Sequence, residues 1–184
     1  MFYVTTPNVT FKTRITTDEA PGFAWKDMKT SEMFSNKRVV VVAVPGAYTP
    51  TCSSTHLPGY EAAYKEIIDL DIDNIYCISV NDSFVMNSWF KTLSIDNVIP
   101  VPDGAGEYTR KMGFLIDKSN IGFGYRSWRY SMVIDNGIVE QMFIEPGFDD
   151  NADGDPFQVS DAETMVKYLT EVHERKNQES IETS

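Results

Sequence analysis

The chain has 184 residues, of which 42% are hydrophobic and 12% aromatic, which suits one domain with a packed core and excludes wholesale disorder. Asp and Glu number 27 against 16 Lys and Arg, and the net charge of −11 disfavours nucleic acid and anionic membranes as partners. Two cysteines are too few for a disulfide-stapled secreted scaffold, and together with the two histidines they have no zinc-finger spacing.

The N-terminal segment also argues against export. Met1–Thr17 lacks the uninterrupted apolar stretch of a signal peptide. The longest apolar run, Val39–Val44, is far too short to cross a membrane. We therefore expect an intracellular, cytoplasmic protein with no membrane partner.

The first predicted core element is a strand over Arg38–Val44, because an uninterrupted β-branched run is typical of a strand buried on both faces. Thr49 and Pro50 indicate the start of a helix, with Thr49 as the N-cap and Pro50 at the first helical position. Helical spacing continues through Tyr60–Ile68, and Pro58 predicts a kink in the first turns of this helix.

A strand, a helix and a short strand follow at Ile75–Val80, Phe84–Leu93 and Val98–Val101. Farther along, a hairpin is predicted from Ser127–Ile134 and Ile138–Ile144. The Asn136-Gly137 pair between these two runs favours a type I′ turn, which needs positive φ at both central residues.

The last predicted element is a helix that begins with the capping box Ser160–Glu163 and runs to about Glu174. Residues 177–184 are polar, and we expect them to form a frayed tail after a single domain over residues 1–176. The order of the elements predicts an α/β, thioredoxin-like fold, in which helices flank a central mixed sheet with an antiparallel hairpin at one side.

Cys52 lies shortly after the predicted Arg38–Val44 strand, in the first turn of the next helix. In open α/β sheets this carboxyl edge is where ligands bind, and unpaired N–H groups at a helix N-terminus favour an anion. The position therefore predicts a stabilised thiolate, helped by a neighbouring cation because an exposed helix end alone supplies too little free energy. The alternative is an inert cysteine that packs as a small buried hydrophobe.

The residues from Pro45 to Cys52 form the pattern Pro-x-x-x-Thr-x-x-Cys, within the string PGAYTPTCSSTHLPGY. This string resembles the type II, or peroxiredoxin-5-like, peroxiredoxins. Further similar blocks, such as GFGYRSWRYSMVIDNGIVEQMFIEPG, extend the resemblance from about Val9 to Leu169, and it is strongest to the peroxidase domain of bacterial peroxiredoxin–glutaredoxin hybrid proteins. The resemblance implies a thiol peroxidase that reduces hydrogen peroxide and small organic hydroperoxides.

The resemblance also implies the roles of individual residues. Cys52 would be the peroxidatic cysteine, whose thiolate attacks a peroxide and becomes a sulfenic acid. Thr49 would direct its hydroxyl toward the thiolate and the peroxide, and Pro45 would shield the site from water. The family's arginine precedes an aromatic–small–apolar strand, which matches Arg129 better than Arg126. No metal, haem or flavin cofactor is implied.

The sulfenic acid has to be reduced by a thiol, and Cys77 is the only other cysteine of the sequence. Because Cys77 falls in a predicted buried strand, we expect a one-cysteine cycle in which glutathione caps Cys52 and a glutaredoxin or a further glutathione releases it. A thioredoxin-dependent, atypical two-cysteine cycle through Cys77 stays open. Type II members often form homodimers, which the resemblance implies here as well.

Four other interpretations remain. Cys52 and His56 are four residues apart, as in a thiol hydrolase, but Pro58 disturbs that turn. A thiol–disulfide oxidoreductase of the same fold would need cysteine where Thr49 stands. The segment Asp149–Ser160 begins like a calcium-binding EF-hand loop but ends on Ser instead of Glu. The fourth interpretation is a non-enzymatic acidic binding domain in which Cys52 is inert.

Overall fold

The computed structural model describes residues 4–182. In chain order, its strands are β1 (Thr10–Thr16), β2 (Phe23–Lys29), β3 (Arg38–Ala43), β4 (Asn74–Ser79), β5 (Ile99–Pro102), β6 (Leu115–Asp117), β7 (Tyr125–Ser127), β8 (Tyr130–Asp135) and β9 (Ile138–Ile144). Its α-helices are α1 (Thr30–Phe34), α2 (Leu57–Ala62), α3 (Tyr64–Ile68), α4 (Ser83–Thr92), α5 (Glu107–Lys111) and α6 (Ala162–Glu182). A π-helical turn at Cys52–His56 and a 3₁₀ turn at Ser119–Ile121 complete the order.

A five-stranded mixed sheet in the order β5-β4-β3-β8-β9 forms the centre of the fold. β3 pairs in parallel with β4 and antiparallel with β8, and β4 pairs in parallel with β5. Every residue of β3 is buried; the side chains of residues 39–43 enter an apolar cluster on each face of the sheet, and Arg38 pairs with Glu140. The predicted α/β arrangement of helices around a central mixed sheet is confirmed.

The hairpin predicted around Asn136-Gly137 is also confirmed. β8 and β9 pair antiparallel across this turn, and φ is 47° at Asn136 and 79° at Gly137. The predicted first strand began too early, because Tyr125–Ser127 forms a separate strand, β7, which pairs with β6. Trp128 and Arg129 link β7 to β8 and therefore lie at one end of the central sheet.

Helix α6 differs from the prediction at both ends. Its N-cap is Asp161, whose carboxylate accepts from Thr164 N–H at 2.9 Å, and not Ser160. Ser160 is unavailable as a cap because its N–H and its hydroxyl both donate to Glu145. The helix continues past Glu174 to residue 182, so most of the predicted frayed tail is helical, and residues 183–184 lie outside the described part.

Several elements were not predicted from the sequence. The hairpin of β1 and β2 pairs over seven residues of each strand, yet only Phe11 among the side chains of these two strands is fully buried. With so few buried positions, the alternation that marks a strand is weak.

Within residues 4–182, no helix has the length and apolar character needed to cross a membrane.

Candidate active site

Cys52 lies in a helical segment that begins at Pro50 and changes at once to the π-helical turn Cys52–His56. In this turn the N–H of Leu57 donates to the carbonyl of Cys52. Pro58 gives a physical reason, because proline has no N–H for the carbonyl four residues earlier and its ring clashes with that carbonyl in an α-helix. The kink predicted from Pro58 thus takes the form of a wider turn, a feature frequent at functional sites.

Cys52 and Arg129 meet in the interior of the protein. Cys52 Sγ lies 3.4 Å from Arg129 Nη1, and the two side chains are 0% and 1% exposed. The two residues are close because Cys52 follows β3, Arg129 immediately precedes β8, and these two strands pair antiparallel. Arg126, the other arginine considered, donates instead to the carbonyls of Phe123 and Val80.

Two further side chains hold the Arg129 guanidinium. Nη1 lies 3.0 Å from His56 Nδ1, and Nη2 donates to Asp155 Oδ1 at 2.5 Å. Burial and the adjacent Arg129 lower the pKa of His56 to about 3, so the imidazole is neutral. Its Nδ1 then accepts from Arg129, while Nε2–H donates to the Ser160 carbonyl at 3.0 Å. Because both ring nitrogens are engaged, neither can take a proton from Cys52, which argues against a thiol hydrolase.

The charge of Arg129 is secure. Burial alone would lower the pKa of Arg129, but Cys52 and Asp155 raise it above the ordinary arginine value. The guanidinium therefore stays positive at any working pH. A fixed cation in a water-poor interior interacts strongly with a neighbouring thiolate, which supplies the cation that the position of Cys52 calls for.

Thr49 precedes the first helical residue, Pro50, as predicted, but its side chain does not cap the helix. Its hydroxyl donates to the carbonyl of Gly46 at 2.7 Å instead of accepting from an N–H of the first turn. The hydroxyl hydrogen is therefore used inside the loop, and the oxygen keeps its capacity to accept a hydrogen bond. Thr49 and Pro45 both line a pocket that Arg129 also lines.

This pocket, of about 250 Å³, is the candidate entry for a substrate. Its walls come from residues 45–51, 118–129 and 154–156. Most of the lining side chains are apolar: Pro45, Pro50, Ile121, Phe123, Trp128 and Pro156. Charged groups enter at three positions only, namely Lys118, Arg129 and Asp155.

The acidic segment that begins like a calcium loop serves another purpose. Asp150 accepts from the N–H of Asp117, and Asn151 accepts from the N–H of Asn120. Glu145 binds the far end of the segment by accepting from N–H groups of residues 158–160. These bonds hold Asp155 over the pocket, and within residues 4–182 no group of three His, Cys, Asp or Glu side chains has metal-binding geometry.

Cys77 is fully buried in the middle of β4, between Val42 of β3 and Pro100 of β5. Burial, and to a lesser degree the nearby Cys52, raises the pKa of Cys77 well above the ordinary thiol value. Both cysteines are free thiols, and both belong to the same apolar cluster. Cys77 therefore lacks the exposure and the thiolate character of a reactive cysteine.

Trp89 of α4 supports the Cys52 turn from the other side. Its indole Nε1 donates to Ser53 Oγ at 3.0 Å, and the side chain is 0% exposed. Its ring packs edge-on against Phe90, with centroids 5.6 Å apart. The turn that carries Cys52 is thus tied both to β8 through Arg129 and to α4 through Trp89.

Comparison with known proteins identifies the family. Residues 14–166 match the Redoxin family. The chain is 54% identical to peroxiredoxin sll1621 of Synechocystis sp. over 166 residues, which cover 89% of this chain and 88% of that protein. The chain is a peroxiredoxin of the Redoxin family. A peroxiredoxin is a thiol peroxidase, so the protein is an enzyme that reduces peroxides through a cysteine thiol.

Two further similarities place this peroxiredoxin within the family. It is 50% identical to the hybrid peroxiredoxin hyPrx5 of Haemophilus influenzae over 177 residues, which cover 96% of this chain and 69% of that protein. The structure resembles the antioxidant protein of Plasmodium falciparum, a 1-Cys peroxiredoxin, with a TM-score of 0.86, 34% identity and coverage of 91% and 98% of the two chains. The predicted type II resemblance and thioredoxin-like fold are both confirmed.

The sequence does not predict the two side-chain partners of the arginine, His56 and Asp155. The sequence suggests His56 only as a base for Cys52 and Asp155 only as part of a possible calcium-binding segment, and it indicates no role for Glu145. Asp155 is in contact with Arg129, from which it is 26 residues distant in sequence. The local signal for Asp155 is the run Asp-Gly-Asp-Pro before Phe157. The backbone of a residue that precedes proline is restricted, which limits the directions that the Asp155 side chain can take.

Proposed function

We propose that Cys52 is the peroxidatic cysteine of this peroxiredoxin and that Arg129 stabilises its thiolate and orients the peroxide. The observation that carries the proposal is the 3.4 Å contact between Arg129 Nη1 and Cys52 Sγ, beside a pocket that Arg129 lines. A charged N–H donor favours the thiolate over the thiol. The planar guanidinium also has several donors in fixed directions, so one group can hold both the sulfur and a peroxide oxygen.

The peroxide step follows from these positions. The Cys52 thiolate attacks one oxygen of the peroxide, the O–O bond breaks, and Cys52 becomes a sulfenic acid. The other oxygen leaves with the electron pair of that bond, takes up one proton, and departs as water or an alcohol. The sulfur supplies the electrons that reduce the peroxide, so the step itself calls for no metal, haem or flavin.

Thr49 and Pro45 complete the proposed site. Because the Thr49 hydroxyl hydrogen is bonded to Gly46, its oxygen can accept a hydrogen bond from the peroxide O–H. Pro45 lines the pocket and has no N–H to attract water. Together they orient the peroxide and keep the reacting atoms in a water-poor environment.

For regeneration we propose a one-cysteine cycle. A glutathione thiol attacks the sulfenic acid, water leaves, and a mixed disulfide forms on Cys52; a second thiol, from a glutaredoxin or from another glutathione, then releases the Cys52 thiol. Support comes from Cys77, which is buried within a central strand. A disulfide requires the two Cα atoms within about 7 Å and a reactive second thiol. The similarity to a hybrid peroxiredoxin favours a glutaredoxin as the partner.

A thioredoxin-dependent two-cysteine cycle is the second candidate, and one observation favours it. Cys52 and Cys77 lie in the same apolar cluster, near enough for Cys52 to affect the pKa of Cys77. Local unwinding of the Cys52 turn would bring the two sulfurs together without a large domain movement. A thiol–disulfide oxidoreductase is less well supported, because Thr49 stands where its second cysteine would be.

The test compares reductants and variants in one assay. Peroxide consumption by the wild type, Cys52→Ser and Cys77→Ser is measured with glutathione plus glutaredoxin, and separately with thioredoxin plus its reductase. We expect turnover with the glutathione system that is lost in Cys52→Ser and retained in Cys77→Ser. Mass spectrometry of protein treated with peroxide and no thiol is expected to detect sulfenic or sulfinic acid. An intramolecular disulfide, about 2 Da lighter than the reduced protein, would overturn the one-cysteine cycle.

A homodimer is part of the proposal as well. The side chains of Tyr48, Trp25 and Phe84 are 51%, 58% and 49% exposed, and large exposed aromatic side chains favour protein contacts. Tyr48 is hydrogen-bonded to Ser88 of α4, the helix that also carries Phe84. Light scattering on the wild type and on Phe84→Ser tests this surface, with a lower molar mass expected for the variant.

A further inference from the structure

Lys118 is a buried cation on the wall of the active-site pocket. Its side chain is 5% exposed, and its Nζ donates to the carbonyl of Ala152 at 2.6 Å. The ammonium group lies 5.8 Å from the centre of the Trp128 ring, which lines the same pocket. In the described part of the chain, no carboxylate oxygen lies within 4.0 Å of Lys118 Nζ.

This arrangement is unusual for a lysine, because a buried ammonium group normally has an anionic partner. Three acidic residues of this region are engaged elsewhere. Asp117 accepts from the N–H and hydroxyl of Ser119, Asp150 accepts from Asp117 N–H, and Asp155 pairs with Arg129. The pocket wall therefore carries two cations and one anion, within a protein whose net charge is −11.

A purely structural role explains Lys118 less well. The bond from Lys118 to Ala152 helps to hold the segment over the pocket, but other bonds hold the same segment. Asn120 binds Asn151 through two hydrogen bonds, and Asp150 binds the backbone of Asp117. Neutral groups would suffice as anchors, so the charge calls for another explanation. An ammonium group also has three donors, of which one is used by Ala152.

We propose that Lys118 binds the carboxylate of a small molecule whose reacting end lies at Cys52, and this rests on the function proposed above. Between the two ends, Ile121, Phe123 and Trp128 provide an apolar wall suited to a hydrocarbon segment. The fitting substrate class is an organic hydroperoxide that ends in a carboxylate, with its peroxide group at Arg129 and its carboxylate at Lys118. A carboxylate of the thiol reductant has the same chemistry, and the experiment separates the two sources.

The experiment uses matched substrates that differ only in charge. They are a series of aliphatic hydroperoxides of increasing chain length that end in a carboxylate, the corresponding methyl esters, and hydrogen peroxide. The rate of Cys52 oxidation is measured by stopped-flow fluorescence. For the wild type we expect the acid of the fitting length to react about tenfold faster than its ester, the size of one charge-assisted contact.

The variants assign this preference to Lys118. Lys118→Met is expected to lose the preference while its rate with hydrogen peroxide stays unchanged, and Lys118→Arg is expected to keep it. Asn120→Ala is the matched control, because it removes an anchor of the same segment without a change of charge. Equal slowing of acid, ester and hydrogen peroxide in Lys118→Met would assign Lys118 to structure alone and overturn the proposal.

A second measurement covers the reductant, and its comparison of charged and esterified thiols is made first on the wild type. Reduction of peroxide-treated wild type by glutathione is compared with reduction by its diethyl ester, in which both carboxylates are blocked. Faster reduction by the charged thiol, lost in Lys118→Met, would identify the reductant as the source of the carboxylate. If the wild type turns over hydrogen peroxide but distinguishes no acid from its ester in either step, the carboxylate site is wrong and the peroxidase assignment stands.

Discussion

The two cysteines have the same exposure and very different surroundings. Cys52 lies in a π-helical turn, 3.4 Å from the Arg129 guanidinium, and Cys77 lies within a central strand of the sheet. Both side chains are 0% exposed. Burial therefore does not distinguish the cysteine that we propose to be reactive from the one that packs in the core. The difference is that Cys52 has a fixed cation beside its sulfur and lies outside the hydrogen-bonded strands of the sheet, whereas Cys77 lies within one of them.

The most direct test of this difference between the two cysteines removes each sulfur in turn. Cys52→Ser should abolish peroxide turnover with little change in the melting temperature, because serine has nearly the same shape and no thiolate. Cys77→Ser should retain turnover, with a modest loss of stability because a hydroxyl replaces a buried thiol in an apolar cluster. Steady-state assays and thermal unfolding of both variants check this. Turnover that survives in Cys52→Ser would contradict the assignment of the site.

The next test removes the cation and leaves both sulfurs in place. Arg129→Met should slow Cys52 oxidation by about tenfold or more, because a charge-assisted contact contributes about 1.5–3 kcal/mol. Arg126→Met is the control, since Arg126 is a partly buried arginine that donates only to backbone carbonyls. Stopped-flow oxidation by hydrogen peroxide gives both rates. A greater effect of Arg126→Met would mean that the wrong arginine has been assigned.

A smaller effect is expected at Thr49. Thr49→Val removes the hydroxyl that donates to Gly46, and it should slow the peroxide step several-fold while costing about 1 kcal/mol of stability. Thr55→Val is matched to it, because the Thr55 hydroxyl also donates to a backbone carbonyl, that of Thr51, on an exposed part of the same segment. Comparison of oxidation rates with unfolding free energies separates the two roles. Loss of stability with no loss of rate would leave Thr49 a structural role only.

The last expected effect concerns acid stability at the Cys52 region and not the rate of the peroxide step, and it follows from His56. Its pKa falls from 6.5 to about 3 on folding, so between these values the unfolded chain binds a proton that the native protein does not. Stability is therefore fully present above pH 6.5 and is lost as the pH falls toward 3, by at most about 1.4 kcal/mol per pH unit.

Urea unfolding from pH 7 to pH 4 measures this slope in the wild type and in His56→Gln. The slope should be smaller in His56→Gln, because glutamine does not titrate in this range. Identical slopes in the wild type and in His56→Gln would show that His56 is not held neutral in the native protein.

The elements that were predictable from the sequence are those whose signal is local. The run of valines predicts the buried strand β3 because β-branched residues favour such strands. Asn-Gly predicts the turn between β8 and β9 because both residues tolerate positive φ. The cap of α6 was predicted wrongly for the opposite reason. Glu145, at the end of β9, takes the N–H and hydroxyl of Ser160, and the cap passes to Asp161.

The same division applies to the site. The motif around Cys52 is contiguous, so Pro45, Thr49 and Cys52 were found together, and Arg129 was chosen only through the family resemblance. Nothing local marks Asp155 or His56 as partners of that arginine, because the sheet topology brings the three together from separate segments. The π-helical turn was also beyond local rules, although Pro58 indicated a disturbance at the correct place.

The hydrogen bond from Trp89 to Ser53 gives the protein a built-in optical reporter. Ser53 is the residue directly after Cys52, so any opening of that turn breaks a bond to an otherwise fully buried indole. Oxidation that stops at a sulfenic acid within an intact turn should leave the emission wavelength of Trp89 unchanged. Unwinding of the turn toward Cys77 should shift the emission to longer wavelength as water reaches the ring. In a variant whose other tryptophans, Trp25 and Trp128, are replaced by phenylalanine, the emission wavelength of Trp89 would distinguish the two catalytic cycles during turnover.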